Sequence, residues 1–88
     1  MQAINQMSKN EKLITRILSF PKDFTYSELK SLLAFYGYTE EQGAGSRVCF
    51  AAENHKIKLH KPHPGNILKH YQLELVIDAL KSKGFLKN

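Results

Sequence analysis

Apolar residues recur along this chain first at helical spacing, then at alternate positions, then at helical spacing again. Leu13, Ile14, Ile17 and Leu18 make the first set, one face of a 3.6-residue period. Ser8 with Glu11 reads as a capping box, each side chain taking an orphan backbone amide, so a helix is predicted over 8–20. Pro21 ends it, because proline lacks an amide proton and clashes with the preceding turn. The second set is Leu29, Leu32, Leu33 and Tyr36. It follows another capping box at Thr25 and Glu28, with Phe24 and Leu29 placed as a hydrophobic staple. Gly37 stands where a left-handed residue closes a helix, and Tyr38 can fold back onto Leu33.

Tyr38 to Glu41 is predicted as a short first strand with acidic outer residues. The loop Gln42-Gly43-Ala44-Gly45 is small enough to let a ligand's backbone approach the chain. From Ser46 the period becomes two: Val48 and Phe50 point one way, Arg47, Cys49 and Ala51 the other. The next strand repeats the pattern, with Ile57 and Leu59 against Lys56, Lys58 and His60. Tyr36, Tyr38 and Phe50 sit at core spacing and are read as packing residues. The corner Lys61-Pro62-His63-Pro64-Gly65-Asn66 cannot continue a strand, since its prolines remove ladder donors and its glycine favours a turn. Leu73, Val76, Ile77 and Leu80 then mark a last helix, closed by Lys81, Lys83 and Gly84. Lys69 and His70 fall at its start, where a bound phosphate would relieve the opposition between cations and the helix dipole.

This order predicts an α+β fold: a small antiparallel sheet with helices on one face, an α-β-β-β-α core and an additional N-terminal helix. If the apolar side of the sheet faces the helices, its open face carries Arg47, Lys56, Lys58 and His60 together. The 88 residues suit one domain over 1–88, with 1–7 expected to be disordered. The net charge of +5 favours a polyanionic partner, though lysines also serve to guard unpaired strands. No apolar run approaches the roughly 18–20 residues of a membrane span, and the N-terminus lacks the apolar segment of a signal peptide. Cys49 is the single cysteine, so no internal disulfide forms; a cytoplasmic protein is expected. No cofactor is expected. His60 and His63, with His55 and His70 nearby, lack the carboxylate or thiolate spacing of a metal site.

The stretches SELKSLLAFYGY, GSRVCF and HKPHPGNILKHYQLELVIDALKSKG together resemble the HicA toxins of bacterial toxin-antitoxin systems, small ribonucleases that cleave mRNA. The resemblance covers Tyr26 to about Phe85, within a core set at 24–86: a leucine-bearing helix ending in Gly-aromatic, a Gly-Ser strand start, and a His-Pro-Gly corner leading through Leu-Lys to an apolar helix. It implies a fold similar to the double-stranded-RNA-binding domain, an endoribonuclease activity, mRNA as substrate and an antitoxin partner, usually called HicB, that covers the active site. Such enzymes typically use a histidine just after the Gly-Ser. Here Gly45-Ser46 is followed by Arg47 and Val48.

Metal-independent RNA cleavage needs a group near neutrality to take the 2′-hydroxyl proton, and histidine is the usual one. Arg47 stays protonated, but it can stabilise charge on a pentavalent phosphate. His60, on the open face with Arg47 and Lys58, is the first candidate base; His63, at the family's corner histidine, is the second. Ser46, Arg47, Lys56, Lys58, Lys61, Lys69 and His70 are the candidate RNA contacts. Two other readings fit the same residues: a non-catalytic RNA-binding module, and a protein-interaction domain whose basic face docks an acidic antitoxin.

Overall fold

The computed structural model describes residues 8–86; residues 1–7, expected to be disordered, lie outside it. The chain forms α1 (Lys9–Leu18), α2 (Tyr26–Phe35), β1 (Thr39–Gln42), β2 (Arg47–Ala52), β3 (His55–His60) and α3 (His70–Ser82). Both predicted capping boxes form. Ser8 Oγ accepts from the Glu11 amide at 3.1 Å while Glu11 Oε1 accepts from the Ser8 amide at 2.9 Å. Thr25 and Glu28 repeat the exchange at 3.1 and 2.9 Å. Each box satisfies two amides that a helix start would otherwise leave open.

Helix α1 buries Leu13 and Ile17, one turn apart, while Leu18 is 44% exposed. Leu18 therefore departs from the predicted apolar face: a residue adjacent to Ile17 lies about 100° further round the helix. The helix is tied to the rest by Arg16, whose guanidinium reaches Asp23 at 3.3 Å and Glu28 at 3.1 Å and lies over the Phe24 ring. Glu28 thus caps α2 and anchors α1 at once. Burial pushes its carboxyl up, but the Thr25 amide and Arg16 outweigh that and hold it below the ordinary range.

Helix α2 closes as predicted. The Gly37 amide donates to the Ala34 carbonyl at 3.0 Å and the Tyr38 amide to that of Leu33 at 2.9 Å, with Gly37 at φ +90°. The same pair of bonds recurs after α3, from Gly84 to Lys81 and from Phe85 to Leu80. Because the Tyr38 amide is spent on the helix end, the first strand begins one residue later than the pattern suggests, at Thr39.

The three strands form an antiparallel sheet in the order β1-β2-β3. Val48, Phe50, Ile57 and Leu59 point to the helices and join Leu29, Leu32, Leu33, Leu73, Val76 and Leu80 in one core. The segment after the corner is sewn to the start of α2. The Tyr26 amide donates to the Asn66 carbonyl at 2.8 Å, and the Leu68 amide to that of Phe24 at 2.9 Å. Among the described residues no helix is long and apolar enough to cross a membrane.

Candidate functional site

The side of the sheet away from the helices is where the predicted basic residues meet. A two-residue turn, Glu53-Asn54, sets the pairing of β2 with β3, so that Arg47 lies opposite His60, Cys49 opposite Lys58 and Ala51 opposite Lys56. Asn54 takes φ +60°, a conformation asparagine tolerates better than most residues. The Lys61 amide donates to the Ser46 carbonyl at 2.8 Å, which makes Arg47 and His60 a pair without ladder bonds between them. In such pairs the side chains stand closer.

Ser46 Oγ lies 3.2 Å from His60 Nδ1. This contact occupies one ring nitrogen, and among the described residues His60 Nε2 makes no hydrogen bond to protein. Arg47, Lys58 and His60, with Glu41, Gly43 and Cys49, border an open depression of about 320 Å³. Among the described residues Arg47, Lys56 and Lys58 form no ion pair, so their charge is free to meet a ligand. Gly43 also serves the chain itself. A Cβ there would stand 3.2 Å from Arg47 Cβ, and the Gly43 amide donates to the Arg47 carbonyl at 2.9 Å. The missing side chain lets the chain's own β2 approach and so seats Arg47.

The other candidates lie elsewhere. Lys61 turns to the helix side, its ammonium over the Tyr26 ring at 5.8 Å from the centroid. His63 is exposed in the corner between β3 and α3. Lys69 is the residue before α3, and His70 stacks on Phe20 with ring centroids 4.5 Å apart. The structure thus gathers Ser46, Arg47, Lys58 and His60, with Lys56 one row further along, and disperses Lys61, His63, Lys69 and His70. Among the described residues no three His, Cys, Asp or Glu side chains come together in a metal-holding group. His55 is occupied by the Tyr38 hydroxyl, 2.6 Å from its Nδ1.

Two groups have a structural importance that the pattern did not single out. Gln72 is buried; its Oε1 accepts from the Lys69 amide at 3.0 Å and its Nε2 donates to the His60 carbonyl at 2.8 Å. One side chain thereby fixes the start of α3 to the end of the strand that carries His60. The available signal was a glutamine at the third helical position on the apolar face. The second group surrounds Glu40, which turns toward the helices while Glu41 stays on the open face. Glu40 accepts a hydrogen bond from the Tyr26 hydroxyl and pairs with Lys30 at 3.2 Å. The Tyr26 bond, then Lys30, hold the Glu40 carboxyl below its ordinary range against the opposing effect of burial. Burial, then Glu40, push the Tyr26 phenol well above its usual range.

No protein-family model, curated protein or solved structure matches this chain. What the molecule establishes on its own is a small α+β fold of the order α-α-β-β-β-α.

Proposed function

We propose that this chain is a HicA-like RNA-acting toxin that cleaves mRNA without a metal, with His60 as the base and an antitoxin of the HicB kind as its partner. One observation carries the reading. The resemblance puts the family's histidine just after Gly45-Ser46, at the position held by Arg47, and the sheet register puts His60 directly across from that position. An imidazole is therefore carried in the same row, one strand over, at a Cβ spacing of about 4.5–5.5 Å.

In the step proposed, His60 Nε2 takes the proton of a ribose 2′-hydroxyl as its oxygen forms a bond to the adjacent phosphorus. The bond to the 5′-oxygen breaks, and that oxygen leaves with a proton from water or from the imidazolium. Arg47 offsets the added negative charge on the pentavalent phosphate, an interaction stronger in the transition state than in the ground state. Ser46 holds the His60 ring through Nδ1. The open depression beside these residues leaves room for a nucleotide.

The test is a cleavage assay with purified protein, mixed-sequence RNA and EDTA. Wild type is expected to cut, His63→Ala to keep cutting, and His60→Ala to lose activity by about 10²–10⁴-fold, the usual worth of a general base. Loss of cutting in His63→Ala alone moves the base to the corner. RNA bound by wild type but left whole removes the enzymatic half and leaves an RNA-binding module.

A further inference from the structure

The open face of the sheet is unequal from side to side. Its β1 side presents Thr39 and Glu41, while β2 and β3 present Arg47, Lys58 and Lys56 in three successive rows. Rows two residues apart along a strand are separated by about 7 Å, an interval that one nucleotide of extended backbone spans. Guarding an unpaired edge accounts for lysines on β3, but Arg47 is on the central strand, which has no free edge. Among the described residues Phe50 is the one phenylalanine, tyrosine or tryptophan in the strands, and it points into the core at 1% exposure.

We infer that this face binds a single RNA strand laid along β3, three consecutive phosphates resting on Arg47, Lys58 and Lys56, with its bases unread by stacking. The inference rests on the proposed RNA-directed function and specifies the substrate form and its path. A duplex fits poorly, because the three cations follow a single line and β1 beside it offers Glu41 and no cation to a second backbone. With no aromatic platform of the kind that sheet-face RNA binders use, recognition runs through the backbone and tolerates any base. The path also brings the ribose beside the last phosphate to the row that holds His60.

Fluorescence anisotropy with 2′-O-methyl oligonucleotides of about eight residues, which lack the attacking hydroxyl, separates binding from cutting. Three phosphate contacts at about 0.7 each give a log–log salt slope near −2, or roughly 20-fold weaker binding between about 50 and 200 mM salt. Lys56→Ala and Lys58→Ala are each expected to reduce that slope by about 0.7. Lys22→Ala, in the exposed turn after α1, leaves it unchanged. Oligouridylate and oligoadenylate should bind alike, and a duplex of the same length more weakly. RNA binding whose slope ignores both lysines, or a duplex bound as tightly as the single strand, overturns the path while leaving the RNA-directed function standing. Absence of binding by any RNA at about 50 mM salt overturns both.

Discussion

Consecutive residues of β2 and β3 do opposite work. Val48, Phe50, Ile57 and Leu59 are buried, while Arg47, Lys56, Lys58 and His60 between and beside them are exposed. The two sets share a backbone and differ only in which face of the pleat they occupy. Burial of each large apolar side chain contributes about 1.5–3 kcal/mol, whereas an exposed charge contributes little to stability. The inner face therefore fixes which residues turn outward, and the outer face inherits that choice. A slip of one residue would turn the apolar set to solvent, so it is resisted by the whole core. Arg47 and His60 share the open face because Val48 and Leu59 must both be buried, and the Glu53-Asn54 turn sets them opposite each other. The geometry of the candidate site is a by-product of packing, and its chemistry is free to vary on top of it.

The strongest way to break this division is to empty the inner face. Phe50→Ala removes a ring that is 1% exposed and packs near Tyr26, and is expected to cost about 3–5 kcal/mol in urea denaturation. A cost under about 1 kcal/mol would mean that the sheet does not hold the helices through this face.

Gln72 is the place where the two faces are coupled. Gln72→Ala leaves the Lys69 amide and the His60 carbonyl without their partner, at an expected cost of about 1–3 kcal/mol. The same change should speed hydrogen exchange at the end of β3 more than in its middle. Unaltered exchange there, with stability lost, would show that Gln72 serves the helix alone.

Most of the fold was legible because its signals are local. A serine or threonine with a glutamate three positions on, a glycine after an apolar helix, and strict alternation over Lys56–His60 each act within one turn or one strand. Glu40 and Glu41 were not separable in this way. The four residues of β1 are all polar or charged, so no apolar alternation says which side faces inward. Only the nearby Tyr26 and Lys30 settle it. Lys61 and His70 have the same chemistry as Lys58 and His60, yet Lys61 lies over the Tyr26 ring and His70, at the start of α3, stacks on Phe20. Side-chain chemistry is written in the sequence, but which neighbours claim it is a tertiary matter. The row formed by Arg47 and His60 needed the turn at Glu53-Asn54 as well as the alternation.

The smallest expected effect is the most discriminating. His60 is exposed, and its backbone carbonyl, not its ring, receives the Gln72 bond. Its ring contacts Ser46 at the surface, and that contact contributes little because water replaces it readily. His60→Ala should therefore change unfolding stability by no more than about 0.5 kcal/mol. Set beside Phe50→Ala, two positions on neighbouring strands would differ several-fold in stability cost while only the cheaper change touches the proposed chemistry. A melting temperature lowered as far by His60→Ala as by Phe50→Ala would show that the outer face also carries the fold. The separation of packing from chemistry, and with it the freedom of this row to change its side chains without cost to the fold, would then be lost.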